Sequence, residues 1–463
     1  MLQAYVDFSP QLFKLNLIFF LSKYLLSRNN VYFCGRNMWN TTENNHRIMF
    51  FERNQYLQQL ITAEDNGMIK IITGIRRCGK SFLLFNIYKQ NLLSRGVPAD
   101  HIIEVNLEDR RSKKFRNPDA LLEYIDSHIR DSERYFILLD EIQLVSEFED
   151  VLNSYLHIGN VNVYVTGSNA KFLSKDVITE FRGRGWEIKI RPLSFAEYYA
   201  KIGGGKQEAL ENYCLYGGLP AVVQLERPED KQNYLKEIFE TVYLKDVLQR
   251  NHLRNADGMS EMIRILASSM GSSINVQRIS NTFKSVSKVD IGANTISRYL
   301  EHLQDSFIIS EALRYDIKGK KYIGTETKYY FEDIGIRNAV VGFRQIEYNH
   351  TMENVIYNEL CCMGYTVDVG LVETFDNDAE GKTIRKNLEI DFVVNRHDQR
   401  VYIQSAYSIP NEEKRNQELA SFRNVADGFR KILIEGDKYN THYNEEGILI
   451  MSLYDFLLKG IDN

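Results

Sequence analysis

The residues Gly74-Ile75-Arg76-Arg77-Cys78-Gly79-Lys80-Ser81 satisfy the pattern G-x-x-x-x-G-K-[ST] at every position. Such a loop is built to hold a row of phosphates. Its glycines let successive backbone N–H groups turn inward onto phosphate oxygens. The helix that the loop opens adds its positive N-terminal end. Lys80 is spaced to reach the β and γ phosphates, and the Ser81 hydroxyl to ligate Mg2+. Gly74, Ile75, Arg76, Arg77, Cys78, Gly79, Lys80, Ser81 and the following Phe82 are therefore the candidate cofactor-binding residues, with ATP and Mg2+ as the expected ligands. Arg76 and Arg77 have no obvious single partner; substrate, nucleotide and a second protein all fit them.

Three further segments carry groups that suit phosphate chemistry. Tyr135-Phe136-Ile137-Leu138-Leu139 runs into Asp140-Glu141, two acids at the end of an apolar run. Asp140 would hold Mg2+ through water, which makes Ser81 and Asp140 the candidate metal residues. Glu141 would polarise an attacking water as general base. Val163-Tyr164-Val165-Thr166-Gly167 leads to Ser168 and Asn169, which could touch the γ phosphate or that water; an ordinary turn is the alternative. Arg182 and Arg184, in Phe181-Arg182-Gly183-Arg184-Gly185, are candidates for an arginine acting on a neighbouring subunit.

These groups need a frame that brings the ends of several strands together. The runs 68–73, 102–107, 135–140, 161–166 and 186–190 are short, apolar and mostly separated by helical stretches. Continuous apolar strands with helical crossovers specify a parallel sheet buried on both faces, so residues 49–200 read as a doubly wound α/β domain. Residues 201–255 read as helices broken at Gly217-Gly218-Leu219-Pro220, residues 256–340 as short helices and a strand pair, and residues 341–463 as mixed α/β. The chain of 463 residues thus divides into several domains. Hydrophobic residues at 44% and charged residues at 26% exclude a disordered or polytopic membrane chain. A net charge of −5 excludes a uniformly basic coat for nucleic acid but leaves room for a local basic face. The five cysteines are scattered with no CxxC pair, and no HExxH occurs, so disulfide and zinc frameworks lack support and a reducing cytoplasm is the expected setting. Phe13 to Leu26 is apolar but broken by Lys14 and Lys23. Residues 1–48 are read as an upstream extension, an amphipathic surface helix or an anchor, with Met49 an alternative start; no membrane partner is expected.

With these segments in hand the chain resembles the AAA-type P-loop ATPases of bacteria and archaea that carry a C-terminal domain of unknown function. The matching stretches include ITGIRRCGKS (72–81), LLDEIQ (138–143), VTGSN (165–169), FRGRG (181–185), RPLSFAEYY (191–199), YGGLP (216–220), KYYFEDIGIRNA (328–339), MENVIYNEL (352–360) and EIDFVV (389–394). The resemblance implies a P-loop NTPase core (AAA-like), a helical lid, a winged-helix-like segment and a C-terminal domain similar to restriction-endonuclease folds. In the winged segment the expected recognition helix is Asn294 to Leu303, with Ile296, Leu300 and Leu303 inward and Thr295, Arg298 and Glu301 outward. In the last domain, Glu353 or Glu359 and then Asp391 would be the metal acids, but the Glu-x-Lys position reads Gln404-Ser405-Ala406, so the fold is expected without nuclease catalysis. Functionally the resemblance implies an ATPase whose cycle rearranges the C-terminal domains; a slow switch that engages a protein is the alternative. DNA through the winged segment, a protein, and further copies of the chain are the candidate partners.

Overall fold

The computed structural model describes residues 50–168, 183–250, 256–287, 291–344, 347–377, 383–437 and 440–462. The 1–48 extension, Asn169 and Arg182 lie outside the described residues. The first domain is built on five parallel strands: β1 (Ile69–Thr73), β2 (Ile102–Asn106), β3 (Tyr135–Asp140), β4 (Val161–Thr166) and β5 (Gly185–Lys189), in the order β2-β3-β4-β1-β5. Every residue of β1 and β3 is buried. Alternation sends Ile72, Phe136, Leu138 and Tyr164 to one face, where they meet Leu84 and Tyr88 of the helix after the phosphate loop. It sends Ile71, Ile137, Leu139, Val163 and Val165 to the other, against Leu121, Val151 and Leu152. Both faces are thus covered by helices, as continuous apolar strands require. Parallel strands also aim their C-terminal ends at one edge, so the segments after β1, β3 and β4 converge there.

Helices Lys206–Tyr216, Pro220–Val223 and Pro228–Ile238, then a π-helical turn Phe239–Leu244 and the helix Lys245–Arg250, occupy the segment expected as a lid. Helices Ala256–Ser268, Val276–Thr282 and Ala293–Asp305 follow. In the last of these Ile296, Tyr299, Leu300 and Leu303 are buried, while Arg298 and Glu301 are exposed. The strand pair β6 (Ile309–Asp316) and β7 (Lys321–Phe331) is antiparallel. It is not a detached wing. β6 pairs in parallel with β8 (Thr366–Asn377) and so extends the C-terminal sheet. That sheet adds β9 (Thr383–Arg396), β10 (Gln399–Ala406), β11 (Arg430–Glu435), β12 (His442–Tyr443) and β13 (Leu449–Ser452), in the order β12-β13-β11-β10-β9-β8-β6-β7. The hairpin therefore belongs physically to both segments.

The most distinctive motifs away from the phosphate loop make the joint between the two sheets. Glu332 is buried between Lys189, at 2.7 Å, and Arg191. Burial alone would raise its carboxyl, but Arg191 and Lys189 pull it down to about 2. Asp333 accepts from the Gly218 N–H at 2.8 Å and caps the helix Ile334–Val340. A Cβ at Gly217 would lie 2.3 Å from the Asp333 carboxylate, and one at Gly218 would lie 2.3 Å from the Leu193 carbonyl. Close backbone approach therefore requires both glycines. Glu359 accepts from the Phe195 N–H at 2.6 Å, and burial raises its carboxyl to about 8. Among the described residues no helix is long and apolar enough to cross a membrane.

Candidate active site

The phosphate loop leaves β1 at Gly74, whose φ of 136° and a virtual Cβ only 2.0 Å from the Ile190 carbonyl exclude any side chain. Gly79, at φ 101°, closes the loop just before the helix that starts at Lys80. Ile75 and Cys78 turn into the core, each 1% exposed. Either can reach a ligand only through its backbone. Lys80 is buried, and its ammonium donates to the carbonyls of Gly74 at 2.8 Å and Ile75 at 3.1 Å. Arg76 is half-buried and Arg77 exposed. The helix continues through a π-helical stretch, Leu83–Tyr88, whose apolar side packs on the sheet.

Asp140 ends β3 and meets this loop directly. Ser81 Oγ donates to Asp140 Oδ1 at 2.8 Å, and Thr166 Oγ1 at the end of β4 donates to the same oxygen at 2.5 Å. Burial, and then the neighbouring Glu141, raises the Asp140 carboxyl to about 6, against the two hydroxyls and Lys80. Glu141 has φ 55°, a left-handed turn that lifts it off the strand end. Its backbone N–H donates to Thr166 Oγ1 at 3.0 Å, and its carboxylate accepts from Ser168 Oγ at 3.0 Å and from Gln143. Arg76 Nε in turn donates to Ser168 Oγ at 3.3 Å.

These groups border a cleft with about 290 Å³ of space. Arg76, Arg77, Gly79, Lys80, Ser81 and Phe82 line one side; Asn106, Glu108, Asp140 and Glu141 line the other. The donor set suits a polyphosphate with a hard cation: an ammonium and loop amides for the phosphates, a hydroxyl and a carboxylate in contact for Mg2+. Phe82 is 37% exposed at the cleft and meets Phe50 edge-on at 5.7 Å. A model of the AAA domain matches residues 66–199, the stretch that contains all of these side chains except Phe50. A protein of Haemophilus influenzae is 34% identical over 413 residues, which is 88% of this chain and 98% of that protein.

The chain belongs to the AAA-domain family.

Residues 207–347 of this AAA protein match a domain of unknown function, DUF8612. A Methanocaldococcus jannaschii protein, MJ1544, is 26% identical over 394 residues, or 82% of this chain and 83% of that one. Among solved structures, a Walker-type ATPase of Pyrococcus abyssi is 16% identical with a TM-score of 0.44, over 63% of this chain and 96% of that chain. The Orc1 protein of Aeropyrum pernix, solved with DNA, is 13% identical with a TM-score of 0.31, over 64% and 93%.

Arg184 stands apart from the cleft. Its carbonyl accepts from the Ile69 N–H, at the start of β1, and β5 runs alongside β1 from Gly185 opposite Ile69 to Lys189 opposite Thr73. Five strand residues, about 16 Å, separate Arg184 from the phosphate-loop edge. Arg184 is not among the residues that line the cleft of this AAA protein. Asn106 at the end of β2 lies in no matching stretch; only strand order and register bring it to the site.

The C-terminal sheet holds a second polar cluster, and it departs from the sequence expectation in one respect. Asp391 is buried, accepts from the Ser405 N–H at 2.9 Å and Ser405 Oγ at 2.7 Å, and contacts Gln404. Burial, then the charge of Glu353, raises it to about 7. Ala406 stands where the Glu-x-Lys pattern has its lysine, but Lys328 of β7 brings a cation to the cluster. Its ammonium lies 2.8 Å from both Glu353 and Glu389. The signal was hidden because the lysine sits on the hairpin, far in sequence from Ala406. Of the two helix acids, Glu353 joins this cluster and Glu359 faces the ATPase-side joint instead. Lys386 is exposed, and Lys414 pairs with Glu418 at 2.6 Å. Among the described residues no group of three or more His, Cys, Asp or Glu is arranged to hold a metal ion.

Proposed function

We propose that this chain binds ATP with Mg2+ at the loop 74–81 and hydrolyses it. The observation that carries the reading is the direct contact of Ser81 and Asp140, 2.8 Å apart, beside the buried Lys80 ammonium. Lys80 and the loop amides hold the phosphates, Ser81 and Asp140 take the cation, and Glu141 draws a proton from the attacking water. Ser168 orients Glu141 through its 3.0 Å bond. The cation, when bound, supplies charge for the phosphate oxygens; the chain's own part is to hold that geometry and exclude bulk water. Turnover would act on the lid helices and, through the Arg191–Glu332 joint, on the C-terminal sheet. Arg184, on the far edge of its own sheet, supports a role only on a neighbouring copy. The C-terminal domain is read as non-cleaving, because Gln404-Ser405-Ala406 stands where a further metal carboxylate is needed and Lys328 already neutralises Glu353.

Mg-ATP at about 100 times its dissociation constant should stabilise the chain by about 2.7 kcal/mol. Lys80→Ala should abolish that thermal shift, and Glu141→Gln should keep it while losing turnover. A wild-type chain whose melting does not move with ATP, ADP or GTP would overturn the reading. Divalent-dependent cleavage of single- or double-stranded DNA that disappears in Asp391→Ala would overturn the non-cleaving assignment.

A further inference from the structure

The phosphate-loop pattern leaves four positions open between its glycines, and here they read Ile75-Arg76-Arg77-Cys78. Ile75 and Cys78 are core residues, so the arginines alone are left to face the cleft. Arg76 has a set of partners that no sequence pattern anticipates. Its guanidinium Nη2 lies 3.5 Å from Asp246 Oδ1, on the lid helix Lys245–Arg250. Its Nε donates to Ser168 Oγ, and that hydroxyl donates to Glu141. Its backbone carbonyl accepts from Tyr243 Oη at 2.8 Å, in the turn just before the same lid helix. One residue of the phosphate loop thus touches the lid twice and reaches the proposed base through a single hydroxyl.

We propose that Arg76 reads the terminal phosphate within its own subunit and reports it to the lid by giving up Asp246. The inference rests on the nucleotide site proposed above and adds to it a residue that separates triphosphate from diphosphate. At 3.5 Å the contact with Asp246 is an ion pair without a good hydrogen bond, and the Arg76 side chain is 34% exposed against 13% for Asp246. Such a pair is weak. A terminal phosphate offers more charge and two oxygens to a planar fork, which arginine holds in preference to a single carboxylate oxygen. With triphosphate in the loop, Arg76 therefore leaves Asp246 and gives up one of its two ties to the lid, while Tyr243 keeps its bond to the Arg76 carbonyl. Ser168 loses one donor and keeps its bond to Glu141. With diphosphate nothing draws the guanidinium away, and the lid stays tied. This gives a cationic group to the developing charge in cis, a place Arg184 cannot reach in its own subunit.

The test compares ATP (as a non-hydrolysable analogue) with ADP by calorimetric titration of the full chain, for wild type, Arg76→Ala and Asp246→Asn. Hydrogen exchange of residues 239–250 is followed in parallel. Arg76→Ala should weaken the triphosphate about tenfold or more while ADP affinity changes less than about threefold. Asp246→Asn should tighten the triphosphate several-fold and leave ADP unmoved, because the competing carboxylate charge is gone. In wild type the lid helix should exchange faster with the triphosphate than with ADP, and in Arg76→Ala it should exchange alike with both. Parallel losses for both nucleotides in both variants would mean that Arg76 is only a structural tie, and would overturn the inference while leaving the nucleotide site intact. Wild type that binds neither nucleotide would instead sink the site itself and this inference with it.

Discussion

Replacing Lys328 with methionine tests the second polar cluster most directly. The ammonium meets Glu353 and Glu389 at 2.8 Å each. Burial opposes the charge, but Glu353, Glu389 and Asp391 hold Lys328 protonated, above its ordinary value. The two carboxylates do not share the loss equally. Glu389 is one-third exposed and keeps Arg314 at 3.8 Å. Glu353 is 9% exposed and keeps neutral Tyr330, at 2.7 Å, and the more distant His350, at 3.9 Å. Removing one partner of a buried pair typically costs about 3–5 kcal/mol, because the other charge is left uncompensated. We expect Lys328→Met to lose about 3 kcal/mol, the lower end, since Glu353 can take up a proton. That corresponds to roughly 6–12 °C in the melting of a unit of this size. Lys328→Met combined with Glu353→Gln should recover most of the loss, leaving about 1 kcal/mol. The assay is thermal and guanidinium unfolding by circular dichroism, with hydrogen exchange of β7 and β9 to localise the effect. A single variant that loses less than about 1 kcal/mol, or a double variant as unstable as the sum of its parts, would refute the argument.

Burial raises Glu359 from 4.5 to about 8, so the folded chain keeps a proton that the unfolded chain has released. Its contribution is full below pH 4.5 and is lost as pH rises to 8. Glu359→Gln should therefore match wild type near pH 5 and exceed it near pH 8 by on the order of a few kcal/mol. Asp333 and Asp391 titrate in the same window, at about 6 and about 7, so the readout is the difference between variant and wild-type melting curves across pH. Gly218→Ala forces a Cβ to 2.3 Å from the Leu193 carbonyl and should cost about 1–3 kcal/mol in a thermal melt. Gly159→Ala, with nothing within 4 Å, should change stability by less than about 0.5 kcal/mol in the same melt. Arg184→Ala and Glu141→Gln should each lose turnover, and mixing the two should restore part of it if Arg184 serves a neighbouring copy; no recovery with both proteins folded and associating would exclude that role.

Part of this protein is legible from local chemistry alone. The loop 74–81 carries its own backbone requirements, two glycines at positive φ followed by a helix, so eight consecutive residues suffice to identify it. β1 and β3 are legible for a similar reason: a strand covered on both faces is apolar throughout. Asp140 and Glu141 also line the cleft, and these announce themselves because an apolar run that ends in two acids must reach an edge of the sheet. What crosses between elements is not legible in this way. Thr166 reaches Asp140 only because β4 is inserted beside β3, and a bond between residues 26 positions apart leaves no periodicity to read. Arg76 finds Asp246 across 170 positions, and Lys328 finds Glu353 and Glu389 because a hairpin expected as a wing extends the C-terminal sheet through β6 and β8. In the motifs RPLSFAEYY, YGGLP and KYYFEDIGIRNA, residues that look like chemistry prove to be packing: Arg191, Gly218, Glu332 and Asp333 are held by a buried joint between two sheets. A sequence states which charges exist. Only the tertiary fold decides which of them are buried together, because burial is what turns a weak surface attraction into a pairing that cannot be broken cheaply.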